Sequence, residues 1–141
     1  MTLPGLGDGD DPRDRRLSAA VDHIVRFVVD HDLRYVVLVA HSWGGYPVNG
    51  AAGRLAGIVY YGARIPVAGR SLVDDNPAEG PAVTTLGIPL HCLLGDEDHA
   101  LPHPGEVFAQ RAELTPIAVP GTHEGLVTHP EEIATAILAV N

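Results

Sequence analysis

The chain has 141 residues, a formal net charge of −9 and nine basic residues, all of them arginine. This length accommodates one domain with a real core but not two, and the acidic balance argues against a nucleic acid or an anionic membrane surface as a partner. The single cysteine, Cys92, excludes an internal disulfide and fits a reducing compartment. No apolar run is long enough for a membrane span, and the N-terminus does not read as a signal peptide, so we expect a cytoplasmic protein.

The first half of the chain predicts a helix, a strand, a second helix and a second strand. Ser18 is placed to cap a helix over about 19–31, where apolar residues recur at helical spacing. The continuous apolar run Val36–Ala40 is typical of a buried parallel strand. We expect the next helix to end near Arg54 and the next strand to span Ile58–Tyr61.

The second half predicts two more strands and two more helices. Residues 64–88 are rich in turn-forming residues and predict a loop or a reduced lid. A strand over Leu90–Leu94, a helix over about 105–113 and a strand over Pro116–Val119 follow. The last helix opens at Pro130, and its predicted apolar face consists of Ile133, Ile137 and Leu138. Because strands alternate with helices, the predicted fold class is α/β with a parallel sheet.

Ser42 lies where the first predicted strand meets a helix. Residues 36–47 read V-V-L-V-A-H-S-W-G-G-Y-P, and small residues, Ala40 and Gly44, flank Ser42 at −2 and +2. This is the pattern of a nucleophile elbow, whose tight turn requires small neighbours and a positive φ at the serine. The turn would aim the Trp43 N–H at a developing oxyanion. The stretch is also compatible with an ordinary serine in a glycine-rich turn.

Reactive residue types follow three of the predicted strands, at the sheet edge where parallel α/β folds collect functional groups. In chain order they are Ser42, Asp98 and His123. Serine is a poor nucleophile unless a histidine accepts its proton and a carboxylate orients that histidine. We therefore predict Ser42 as nucleophile, His123 as base and Asp98 as the orienting acid.

Other residues compete for these roles. Asp96 lies two residues before Asp98 and is an alternative acid, with Glu97 a weaker one. His99 and His103 lie near carboxylates but lack a recognised metal-ligand spacing. Cys92 lies inside a predicted strand, so buried packing explains it better than nucleophilic chemistry.

The chain resembles the α/β-hydrolase superfamily, and within it the small cofactor-free serine esterases related to plant methylesterases and hydroxynitrile lyases. In that family the acid follows a strand as G-x-x-D and the histidine appears as G-x-H before a Pro-Glu-Glu helix. Gly95–Asp98 and Gly121–His123 match these motifs. The matching segments cover most of the chain: Leu3–Gly7, Val37–Gly45, Ile58–Pro66, Gly69–Leu72, Ile88–Pro102 and Pro120–Ile137.

The resemblance implies a serine hydrolase that acts on small carboxylic esters with no cofactor and no metal. Ser42, Asp98 and His123 would form its triad, and Trp43 N–H would belong to its oxyanion hole. Hydroxynitrile lyase and cofactor-free haloperoxidase chemistry are variants on the same triad.

The chain departs from the family at two places. Related sequences have strands and a His-Gly loop before the segment that matches Leu3–Gly7, and a longer lid between Leu72 and Ile88. We therefore expect residues 1–141 to form a single partial α/β-hydrolase domain, truncated at the N-terminus, or a truncated reading frame. The Val36–Ala40 strand would then have an open edge through which the chain self-associates. The alternative function is a hydrolase-like module without efficient catalysis, acting as a binding or subunit domain.

Overall fold

A computed structural model gives the structure of the chain and describes residues 1–11, 13, 16–74, 86–97 and 104–140. The strands are β1 (Val37–His41), β2 (Gly57–Tyr61), β3 (Leu90–Gly95) and β4 (Ile117–Val119). The helices are α1 (Leu17–Asp30), α2 (Gly45–Gly50), α3 (Pro104–Arg111), α4 (Gly125–Thr128) and α5 (Pro130–Ala139), with 3-10 turns at Ser42–Gly44 and Ala52–Arg54. None of the described helices is both long and apolar enough to cross a bilayer.

The strands form one parallel sheet in the order β1-β2-β3-β4. This parallel sheet, with helices packed on both of its faces, confirms the predicted α/β class. Within the described residues β1 pairs only with β2 and therefore lies at the sheet edge, as the sequence predicted. All carboxyl ends of the strands point the same way, so the segments that follow them meet at one edge of the sheet.

The core lies on both faces of β2, which is buried along its whole length. Ile58 and Tyr60 face a cluster that includes residues of α1, α2 and α3. Val59 and Tyr61 face a second cluster with Ile133 of α5. This alternation is the two-residue period of a strand with helices on both sides.

Several local predictions differ from the structure. Ser18 does not cap α1, since the helix starts at Leu17 and Ser18 lies inside its first turn. The helix predicted to end near Arg54 stops at Gly50, and a 3-10 turn follows. Leu138 is 75% exposed and does not belong to the apolar face of α5. The face that packs against the sheet instead has residues at positions i, i+3, i+4 and i+7, namely Ile133, Ala136, Ile137 and Val140.

The predicted loop contains no helix or strand in its described parts, residues 64–74 and 86–88. Its remaining residues lie outside the described part of the chain. The ends of β1, β2 and β3 and the segment after β4 position the candidate site.

Candidate active site

Ser42 lies directly after β1 and has φ 52°, which confirms the predicted positive φ. The left-handed region is uncommon for residues with a side chain, and such conformations concentrate at functional sites. His41 just before it is still extended, and a 3-10 turn followed by α2 comes after it. The backbone around Ser42 therefore has the strand–turn–helix form of a nucleophile elbow.

Gly45, rather than Gly44, is the position where the elbow needs a residue without a side chain. A Cβ built on Gly45 would lie 1.7 Å from the carbonyl oxygen of Arg64, whereas one built on Gly44 meets nothing within 4 Å. Arg64 N–H also donates to the carbonyl oxygen of Ser42 at 3.0 Å. The prediction that position 44 is sterically restricted was wrong, because the segment after β2 crosses the elbow one residue later.

Trp43 is the second residue of the 3-10 turn that begins at Ser42. The first N–H groups of a helical turn have no acceptor within the turn, so the Trp43 N–H is available to an incoming group. Trp43 is 36% exposed, so the residue that carries this N–H is in contact with solvent. Its role as an oxyanion donor stays a prediction.

His123 belongs to the segment after β4, and β1 and β2 hold its backbone in place. His41 Nε2 donates to the carbonyl oxygen of His123 at 2.8 Å, and the two imidazole rings lie 4.4 Å apart between centroids. Tyr61 Oη donates to the carbonyl oxygen of Thr122 at 2.7 Å. His41 and Tyr61 are register partners, so neighbouring positions at two strand ends hold consecutive peptide units.

The end of β3 holds the same segment from the other side. Gly121 N–H donates to Asp96 Oδ1 at 3.2 Å, and Glu97 N–H donates to the carbonyl oxygen of Gly121 at 3.1 Å. A Cβ on Gly95 would lie 2.2 Å from that same oxygen, which explains a glycine at the strand end. The Asp96 carboxylate thus fixes the turn before His123 and, within the described residues, makes no hydrogen bond to the His123 ring.

The His123 ring itself lies over Gly62, where an added Cβ would approach its Nδ1 to 2.9 Å. Across the described residues no hydrogen bond joins Ser42 to His123, so their pairing as nucleophile and base stays a prediction. Catalytic hydrogen bonds are often long in proteins without a ligand and tighten when substrate binds. Asp98, His99 and His103 lie outside the described residues, and the acid assignment therefore also stays a prediction.

Cys92 lies in β3 and is a buried free thiol. Burial raises its pKa to about 12 and so disfavours the reactive thiolate. This agrees with the prediction of a packing role rather than a nucleophilic one.

Sequence reasoning missed the two residues that anchor the His123 segment, His41 and Tyr61. Tyr61 is the last residue of its predicted strand, and His41 directly follows the last residue of its own. Side chains at these positions reach the functional edge of a parallel sheet. Their position at the strand ends was the signal in the sequence that could have identified them as site residues. Their hydrogen-bond partners lie far along the chain and follow only from the folded register.

No protein-family model and no curated protein matches this sequence. Among solved structures, the chain is similar to an α/β-hydrolase from a Paenibacillus species that is described as extracellular. The TM-score is 0.80 at 17% sequence identity, and the match covers 99% of this chain and 85% of the other. That protein is described as sharing structural and functional homology with tobacco salicylic acid binding protein 2. With its parallel sheet, flanking helices and this structural match, the chain has an α/β-hydrolase fold.

Proposed function

We propose that the chain is a serine hydrolase of small carboxylic esters, with Ser42 as nucleophile and His123 as general base. The observation that carries the proposal is the elbow at Ser42, with φ 52° at the carboxyl end of β1. The hydrogen bond from His41 to the His123 carbonyl supports it, because it ties the base to the residue next to the nucleophile. The likeness to a described α/β-hydrolase agrees with this reaction class.

In the proposed reaction Ser42 Oγ attacks the ester carbonyl while its proton passes to His123. The oxyanion that forms accepts a hydrogen bond from Trp43 N–H. His123 then returns the proton to the departing alcohol as the carbon–oxygen bond of the ester breaks, leaving an acyl group on Ser42. In the second half, a water molecule gives a proton to His123 and attacks the acyl carbon. The bond between that carbon and Ser42 Oγ then breaks, His123 returns the proton to Oγ, and the acid is released. We assign Asp98 to orient His123, since Asp96 already accepts from Gly121.

The test is turnover of a short activated ester and labelling by a fluorophosphonate probe. We expect Ser42→Ala to abolish labelling and to reduce turnover to background, because loss of a triad serine costs up to about 10⁶-fold in kcat. Ser18→Ala is the matched control, since Ser18 is exposed in the first turn of α1 and does not belong to the strand, turn or helix that form the elbow. Labelling and turnover that survive in Ser42→Ala would contradict the proposal.

The second function, a hydrolase-like binding or subunit module, is favoured by one observation: the described residues show no hydrogen bond between Ser42 and His123. A wild-type chain that is folded yet neither labels nor turns over ester would support this alternative. A complex with a substrate-like inhibitor in which the two side chains still remain apart would support it further.

A further inference from the structure

We infer that His41, His123 and Glu124 form a binding site for a zinc-like divalent cation, and that the cation competes with the role of His123 as base. One ligating atom from each of these side chains lies within 4.8 Å of the other two. Two imidazoles and a carboxylate are a donor set that zinc uses in proteins. The competition step rests on the proposed function, whereas the binding site does not.

The hydrogen bond of His41 leaves Nδ1 as the ring nitrogen that is able to bind a metal. A backbone carbonyl only accepts, so the bond from Nε2 to the His123 oxygen at 2.8 Å requires the proton on Nε2. In the neutral ring the lone pair is then on Nδ1. Histidine ligands in metal sites commonly donate their second nitrogen to a carbonyl in this way, which fixes both tautomer and orientation.

The separation of the three groups is close to what one ion requires. Bonds of about 2.1 Å place two ligands of a tetrahedral zinc ion roughly 3.4 Å apart. Groups within 4.8 Å of one another therefore need to approach by at most about 1.4 Å. Glu124 is exposed, so its side chain can make that adjustment, while the hydrogen bond to the His123 carbonyl holds the His41 ring in place.

The charge of the protein favours a cation at this place. The chain carries a formal net charge of −9, which raises the local concentration of cations at its surface. Glu124 adds a carboxylate directly beside His123 in the chain and belongs to the same cluster. A cation bound there occupies one ring nitrogen of His123, and that nitrogen can no longer accept a proton. The competition requires it to be the nitrogen that serves Ser42.

The experiment is a calorimetric titration of Zn²⁺ into untagged protein that has been freed of metal with a chelator. We expect one site in the wild type and an affinity at least about 10-fold lower in Glu124→Gln, since even the outer partners of metal ligands change affinity 10- to 100-fold. Glu132→Gln is the matched control, because it removes the same charge from an exposed residue of α5. His41→Ala is a second variant expected to weaken binding. Equal affinities in Glu124→Gln and Glu132→Gln, or no binding to the wild type, would overturn the site.

The competition step is tested by ester turnover at increasing Zn²⁺. We expect inhibition of the wild type at the concentration that saturates the calorimetric site, and at least about 10-fold more Zn²⁺ for the same inhibition of Glu124→Gln. Zinc that saturates the site without lowering turnover would overturn the competition. A wild type without any turnover would count against the proposed function alone, because the calorimetric comparison still decides the site.

Discussion

Strands β1 and β2 have equal length and pair along it, but their surroundings differ. Every residue of β2 is buried, whereas in β1 only Ala40 is. Within the described part of the chain β2 lies between two strands and β1 has one neighbour. The buried strand supplies the core, and the edge strand leads into the elbow at Ser42. The comparison shows that the proposed nucleophile, Ser42, directly follows the less buried of the two strands.

The largest expected difference is in the free energy of unfolding. It is measured by substituting, one at a time, two residues that pair across β1 and β2. Ile58 of β2 is fully buried and pairs with the half-buried Leu38 of β1. We expect Ile58→Ala to lower the free energy of unfolding by about 2–5 kcal/mol. Leu38→Ala is expected to cost less than about 2 kcal/mol, because it removes less buried surface. Urea unfolding of both variants measures the two free energies. Equal losses of unfolding free energy would contradict the claim that β2 contributes more to the core than β1.

The reactivity of Cys92 measures how well β3, which pairs with β2 on the side opposite β1, is shielded from solvent. Folding raises the pKa of this thiol from 9.0 to about 12, because burial disfavours the thiolate. At pH 8 we expect roughly a thousandfold smaller thiolate fraction in the folded chain than in the unfolded one. Alkylation by iodoacetamide with and without urea measures this difference. Rapid labelling of the native chain would show that the centre of the sheet is open.

The same shift predicts how stability depends on alkaline pH. A pKa that is raised by folding stabilises the folded state below the unfolded value of 9.0, and this contribution is lost as pH rises toward about 12. Cys92→Ala removes that contribution, so its unfolding free energy should fall less steeply across this range. If the unfolding free energies of the two proteins fell equally steeply with pH, burial would not be raising the pKa of Cys92.

The edge of β1 is the proposed surface for self-association. We expect Val37→Lys, at the start of β1, to raise the dissociation constant of the self-associated form about 10-fold, since lysine on an edge strand opposes strand pairing. Ile117→Lys is the control, because it starts β4, an edge strand of only three residues within the described sheet. Sedimentation equilibrium measures both. Association of the wild type that responds only to Ile117→Lys would place the interface on β4.

The smallest expected effect concerns the anchor that β2 contributes to the site. Tyr61→Phe removes the hydrogen bond to the Thr122 carbonyl, which we expect to cost about 0.5–1.5 kcal/mol in stability. This bond and the one from His41 hold consecutive carbonyl groups of the segment that carries His123. We therefore expect ester turnover to fall several-fold because His123 is less well positioned, while the turn at Ser42 is unchanged. Tyr35→Phe is the control, since Tyr35 is 91% exposed. An equal loss in both variants would mean that the anchor does not position His123.

Strands were predictable from sequence because continuous apolar runs and turn residues mark them locally. All four lie within two residues of their predicted bounds. The four-residue helix α4 was not predicted, because so short a segment has no helical period to detect. The face of α5 was assigned wrongly at Leu138, where apolar character alone did not show which side meets the sheet.

The features of the site that depend on residues adjacent in the sequence were predictable. The positive φ of Ser42 follows from small neighbours around a serine between a strand and a helix, and the structure has it. The contacts of His123 with His41 and Gly62 depend on how separate strands align, which residue types do not specify. The steric limit at Gly45 rather than Gly44 has the same origin, since it arises from Arg64 in another segment.

The hydrogen bond between His41 and His123 joins residues 82 positions apart in the chain. Contacts of such separation form late in folding, because the entropy of closing the intervening loop must be overcome before the contact contributes. The elbow at Ser42 needs only its own turn and the Arg64 segment nearby. A chain emerging from the ribosome therefore exposes its serine long before the histidine segment is available to dock beside it.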